Sequence, residues 1–167
     1  MRALEPADAE AYRALRLQAL ANAPEAFGAS YEEEAGQTLD GIRARIGGHS
    51  ANRIFGAWSS GRLVGMAGFA ARERLKSRHK GIMWGVYVRP DWRGRGLGEA
   101  LVRQVIDHAA LHVVVLEAAV GLHNESARRT YHKLGFRPYG IERKALRVGN
   151  VFYDEELLFI DFSDAAR

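Results

Sequence analysis

The eleven residues from Arg89 to Glu99, RPDWRGRGLGE, carry the densest chemical signal in the chain. Gly94, Gly96 and Gly98 alternate with Arg95 and Leu97, after the apolar run GIMWGVYV and before the helical pattern EALVRQVIDHAAL. The first turn of a helix has unpaired N–H groups and a partial positive charge. Glycines there remove the Cβ atoms that would keep an anion away from those amides. Spacing removes two phosphate-binding readings. A dinucleotide turn needs Gly-x-Gly-x-x-Gly, whereas this loop reads Gly-x-Gly-x-Gly; a P-loop needs Lys-Ser/Thr after its last glycine, and none follows. What remains is a pyrophosphate cradle without a metal, or a tight strand-to-helix turn in which glycines serve geometry alone.

The charge pattern narrows the partner. The net charge is +4, and Arg89, Arg93, Arg95 and Arg103 surround the loop, while Arg128, Arg129 and Lys133 share a later helix. A short cluster suits one phosphorylated ligand better than a long duplex. Nucleic-acid binding would call for exposed aromatics among the basic residues, yet Trp84 and Tyr87 lie in a strand that reads as buried, so no nucleic-acid partner is expected. No apolar run reaches roughly 18 residues, so no membrane span is expected. The start, MRALEPADAE, lacks a signal-peptide pattern, and a cytoplasmic location is expected. The chain has no cysteine, which excludes disulfides, thiolate metal sites and a cysteinyl acyl-enzyme. The six histidines lack ligand spacing, and His108 with His112 is an isolated i, i+4 pair; no metal is expected.

The elements that must position these residues follow from periodicity. Residues 8–22 and 38–47 read as helices. Strands are expected at 53–58, 62–71 and 81–88, the first two joined at Ser60-Gly61. The third strand is apolar on both faces and reads as central. A helix at 96–111, a strand at 113–120 and a helix at 124–134 follow, with Gly135 as a left-handed C-cap onto which Phe136 can fold. Strands at 142–148 and 151–162 flank the hairpin signal Gly149-Asn150, and a short strand is possible at 1–4. The central strand–helix–strand crossover between hairpins gives a mixed α/β (α+β) sheet.

Two blocks together resemble one family. Arg93-x-x-Gly96-x-Gly98, after a strand ending Val86-Tyr87-Val88, looks like the acetyl-CoA loop of the GNAT N-acetyltransferases. Asn124-x-x-Ala127-x-x-x-Tyr131-x-x-x-Gly135-Phe136 resembles the same family's second acetyl-CoA block, in the same order. The resemblance implies a GNAT-like single domain over residues 1–167, with a mostly antiparallel sheet of six to seven strands flanked by about four helices. It implies acetyl-CoA as co-substrate and direct acetyl transfer to a primary amine in a ternary complex. Val86, Tyr87 and Val88 would pair with the pantetheine arm as with an added strand. Gly94, Arg95, Gly96, Leu97, Gly98 and Glu99, with Arg93, would hold the pyrophosphate. Asn124 would bond the cofactor near its reactive end, and Tyr131 would give a proton to the departing thiolate. Read from spacing alone, Tyr131 shares a helix face with Ala127 and Leu134 and reads as a core aromatic.

The acceptor side is less legible. Many GNAT proteins carry a glutamate on the strand before the glycine loop, and GIMWGVYV has none. Glu117, mid-strand in VVVLEAAV, is the first candidate for the general base, ahead of the Glu32-Glu33-Glu34 cluster, His79 and His123. That cluster would also attract a cationic amine. Phe27, Tyr31 and Trp84 would line an acceptor pocket or the core. A small-molecule acceptor is expected, with no recognition segment in view; a protein N-terminus or lysine, or a CoA-binding sensor without catalysis, are the alternatives. The terminal strand VFYDEELLFIDF reads as an apolar edge that could pair across a homodimer.

Overall fold

Two left-handed turns set up the sheet in the computed structural model, which describes residues 1–48 and 51–163. Strand β1 (Arg2–Ala3) pairs with β2 (Arg53–Ser59). Ser60 and Gly61 take φ values of 46° and 77°, the mirror-image turn that a two-residue hairpin needs, and β3 (Arg62–Ala71) returns antiparallel. Strand β4 (Lys80–Val88) follows antiparallel, and helix α4 (Leu97–Ala110) carries the chain to β5 (Val115–Gly121), which is parallel to β4. After helix α5 (Glu125–Lys133), β6 (Arg137–Val148) and β7 (Val151–Asp161) close the sheet around Gly149 at φ 59°. The order of the seven strands is β1-β2-β3-β4-β5-β7-β6.

Each face of the sheet buries its own core. One face packs against α4 and α5 through Val64, Phe69, Leu101, Val105, Leu116, Phe136 and Leu158. The other packs against α1 (Ala9–Asn22) and α3 (Leu39–Gly47) through Tyr12, Leu15, Leu20, Ile42 and Met66. A third, five-residue helix, α2 (Tyr31–Ala35), lies between these two and is closed by a reciprocal Ser30–Glu33 capping box.

Two expectations are corrected here. Strand β7 is not an edge: it pairs with β5 on one side and β6 on the other, so VFYDEELLFIDF has no free side for a dimer partner. The free edge belongs to β6, which starts at Arg137, five residues before its expected start at Glu142. The early start follows from Phe136, which folds its backbone N–H onto the Tyr131 carbonyl at 3.1 Å and returns the chain directly into the sheet. The left-handed C-cap itself is as expected, with Gly135 at φ 98°. Among the described residues no helix is long and apolar enough to cross a membrane.

Candidate active site

A bulge in β4 opens the site. Tyr87 pairs with Met66 and Trp84 with Gly68, so Gly85 and Val86 together face the single residue Ala67. Gly85 absorbs the extra residue at φ 65°, a left-handed conformation that favours glycine. The bulged strand bends away from β5. Parallel pairing is confined to Lys80–Ile82 against Val115–Glu117, and beyond it the β5-facing edge of β4 has no strand partner among the described residues. A cavity of about 490 Å³ fills the gap, lined by Trp84 to Val88 from β4, Ala119 to Gly121 from β5 and Tyr131 from α5. An unpaired strand edge beside a deep cleft is what an extended, amide-bearing ligand requires.

The glycine loop enters at one end of this cleft. After a 3₁₀ turn at Pro90–Trp92, Gly94 and Gly96 take φ values of 73° and 75°. Nothing stands within 4 Å of where a side chain at either would begin, so backbone conformation and not crowding demands glycine there. Gly96 is the N-cap of α4 and has no side chain to cap it, leaving the first amides of the helix open. Gly98 and Arg93 line the cavity itself. Arg93 also donates from Nε to the Val88 carbonyl at 3.0 Å, tying loop to strand. Arg95 stacks over Trp92 at 4.6 Å. Glu99 is engaged elsewhere, accepting from Lys133 at 2.7 Å and Arg103 at 3.3 Å, so its side chain joins α4 to α5.

Of the residues expected near the reaction centre, Asn124 and Tyr131 share the cavity. Asn124 is the N-cap of α5, with Oδ1 accepting from the Ala127 N–H at 3.2 Å. That bond fixes the side chain and leaves the amide NH₂ free to donate. Tyr131 is 7% exposed and packs against Phe136 at 5.6 Å between ring centres. Burial pushes its phenol well above the ordinary tyrosine value, so it stays protonated through the neutral range. It is both core aromatic and cavity lining; the two readings of this residue are not alternatives.

Glu117 is not brought to the cavity. It stands at the closed end of the cleft, opposite Ile82, and accepts from Arg72 Nη2 at 2.6 Å and Lys80 Nζ at 2.9 Å. Burial raises its pKa, but these two bonds outweigh that and hold the carboxyl below its ordinary value. A carboxylate so paired is a poor proton acceptor. Two acids of the Glu32-Glu33-Glu34 cluster are likewise spent on structure, Glu33 capping α2 and Glu34 buried against Arg45 at 3.0 Å and Arg16 at 3.7 Å, while Glu32 is exposed and outside the cavity lining. Tyr31, 44% exposed, and His79 lie outside the lining. Phe27 and Trp84 do line it, with the buried Arg16 guanidinium 5.0 Å from the first ring and 5.7 Å from the second. His108 lies between Phe55 and Phe69 and bonds the Ala51 carbonyl at 2.6 Å. The basic residues of α5 are ion-paired, Arg128 with Glu156 and Arg129 with Glu125.

His123 lines the cavity, as does Glu25, which sequence reasoning missed. Glu25 sits on a 3₁₀ turn, Pro24–Ala26, that packs over β5 and β6. The only sequence signal for it was Pro24 ending the helix; where the next residues travel is a tertiary matter.

The sequence profile of the acetyltransferase (GNAT) family matches residues 12–136. The N-alpha-acetyltransferase RimI of Mycobacterium tuberculosis is 36% identical over 97 residues, which are 58% of this chain and 60% of that protein. The chain thus spans about three fifths of the length of that curated relative. Among solved structures, an acetyltransferase of the GNAT family from Streptococcus pneumoniae superposes with a TM-score of 0.85 at 21% identity, covering 96% of both chains. YncA of Salmonella typhimurium, a putative acetyltransferase solved with its cofactor acetyl-CoA, superposes with a TM-score of 0.80 at 22% identity, over 96% of this chain and 92% of that one. With a profile match over most of its length, the chain belongs to the acetyltransferase (GNAT) family.

Proposed function

We propose that this protein transfers the acetyl group of acetyl-CoA to the primary amine of a small molecule, directly and in a ternary complex. The observation that carries the reading is the meeting of three features in one cleft: the unpaired edge of β4 beyond Ile82, the open amides at the start of α4, and the buried phenol of Tyr131. Val86, Tyr87 and Val88 present backbone to the pantetheine arm. Arg93 and the amides of residues 94–99 receive the pyrophosphate, with Arg95 adding charge at the rim. Asn124 donates from its free amide near the thioester. When bound, acetyl-CoA supplies an activated acyl carbon. Tyr131 holds its proton where sulfur leaves, and general-acid help of this kind is worth about 10²–10⁴-fold.

A small acceptor is favoured by the roof over the far end of the cleft. The turn at Pro24–Ala26 packs against β5 and β6, and Phe27 lines the same space. The likeness to RimI supports the second reading, a protein N-terminus as acceptor. The experiment is thiol release from acetyl-CoA with 1,4-diaminobutane, spermidine, tyramine, kanamycin and an alanine-initiated hexapeptide, beside calorimetric binding of acetyl-CoA. Turnover with one of the small amines is expected. Turnover with the peptide alone selects the second reading, and binding without any turnover makes the protein a CoA sensor.

A further inference from the structure

We infer that His123 and Glu155 form the proton-accepting pair for the acceptor amine, an assignment that rests on the acetyl-transfer reading and supplies the base that Glu117 does not provide. Strand alternation places them. Leu116, Ala118 and Val120 point into the core under α4 and α5, so Ala119 and Gly121 face the opposite side, toward the roof. Gly121 leaves that face bare, and the imidazole of His123 lies on it: a Cβ at Gly121 would stand 2.8 Å from Nδ1 and 3.3 Å from Nε2. Glu155 is the cross-strand partner of Gly121 on β7, so its side chain rises beside the ring on the same face. Tyr153, two residues along, meets the ring edge-on at 5.3 Å between centres.

Three consecutive acids show which one is unspent. Asp154 is taken by Arg143 and the Lys144 N–H, and Glu156 by Arg128 and His132. Glu155 between them has no hydrogen bond or ion pair among the described residues, and neither ring nitrogen of His123 has an acceptor or donor. The ring of His123 lines the cavity, and Glu155, outside the lining, stands beside it on the same face of the sheet. The groups facing the ring are Glu155 and Tyr153 from β7, Glu142 from β6 through its pairing with Glu155, and Glu25 from the roof turn. From α5, Asn124 and Tyr131 complete the wall. Burial and the neighbouring Glu142 hold Glu155 above its ordinary pKa, and His123 pulls it back, which is the coupling a dyad requires. Among the described residues the one cation in the lining is Arg93, at the pyrophosphate end. This end therefore favours a cationic acceptor with no carboxylate beside its amine.

The acceptor enters as an ammonium ion and gives one proton to the imidazole of His123, whose charge Glu155 balances. The freed nitrogen lone pair forms the N–C bond at the thioester carbonyl carbon. On collapse the C–S bond breaks and sulfur takes the proton of Tyr131. The second N–H proton of the former ammonium replaces it on the phenol, and imidazolium releases the first to solvent. One ammonium and one thioester become one amide, one thiol and one proton.

The test is the pH dependence of kcat/KM with the fastest amine of the panel above, for wild type, His123→Gln, His123→Ala and Glu155→Gln, with acetyl-CoA affinity measured alongside. His123 is exposed, so its substitution leaves the core intact. His123→Gln should lose the acid limb of the profile and about 10²-fold or more in kcat at unchanged acetyl-CoA affinity. Added imidazole should restore part of the rate to His123→Ala, and Glu155→Gln should move the acid limb to lower pH. Full rate and an unchanged limb in His123→Gln overturn the assignment while leaving the acetyl-transfer reading standing. A wild-type protein that acetylates nothing in the panel overturns that reading and this role with it.

Discussion

Ile82 on β4 and Glu117 on β5 are the last partners of the parallel pair, and the site begins where their pairing ends. The separation is not a gap in packing. It is imposed three residues later by the Gly85–Val86 bulge, which also sends Val86 and Tyr87 to opposite cores. Stable pairing at the closed end and a built-in bend beyond it hold the cleft open without a ligand.

The bend is testable at Gly85. The Arg16 guanidinium stands 3.5 Å from a Cβ placed there, an ordinary contact, so strain from φ dominates a substitution. Gly85→Ala should cost about 1–2 kcal/mol by denaturant titration. Any relaxation of the bulge should also weaken acetyl-CoA binding, read by calorimetry.

The glycine loop offers a cleaner probe of cofactor binding. Gly96 is a poor choice for substitution, because its φ of 75° makes any side chain strained. Gly98 is inside the helix, carries no positive φ, and its nearest neighbour is Val88 Cγ2 at 3.9 Å. Gly98→Val should fold with a nearly unchanged Tm and bind acetyl-CoA about tenfold or more weakly, a loss of about 1.4 kcal/mol. Unchanged affinity would remove the cradle.

Tyr131→Phe keeps the ring that packs against Phe136 and deletes the proton. Its thiol-release kcat should fall about 10²–10⁴-fold while acetyl-CoA affinity holds. Because burial raises the phenol, wild-type kcat should show no loss from tyrosine ionisation up to pH 9, measured with an amine in saturating amount.

Glu117→Gln should separate structure from chemistry. Turnover should persist, since the carboxylate does not line the cavity, while stability at pH 7 falls by about 1–2 kcal/mol through loss of the Arg72 and Lys80 pairs. The native pKa of Glu117 is lowered, so its contribution is present above the unfolded value of about 4.3 and disappears as pH falls through the native one. Wild type and variant should therefore converge in stability as the solution is acidified.

Local sequence is enough to read most of the elements, and the family resemblance singles out the glycine loop and α5 as the expected donor side. Alternation in GIMWGVYV, turn chemistry at Ser60-Gly61, Gly135 and Gly149, and the loop from Arg93 to Glu99 are local signals, because backbone conformation there depends on neighbouring residues. Tyr131 reads from spacing as a core aromatic, and only the resemblance of the block from Asn124 to Phe136 to the family pattern marks it as a site residue. The tertiary structure alone decided which acids are free. Glu34 and Glu155 each stand in a run of three acids, and Glu117 stands alone in the apolar run VVVLEAAV, yet neither setting tells a linear reading which carboxylate is ion-paired. What separates them is that Arg72 just after β3, Lys80 on β4, Arg16 on α1 and Arg45 on α3 are brought across to Glu117 and Glu34, while among the described residues no Lys or Arg is paired with Glu155. The β7 strand followed the same rule: its apolar sequence reads as an edge or a centre equally well, and only the register with β5 and β6 on either side placed it inside.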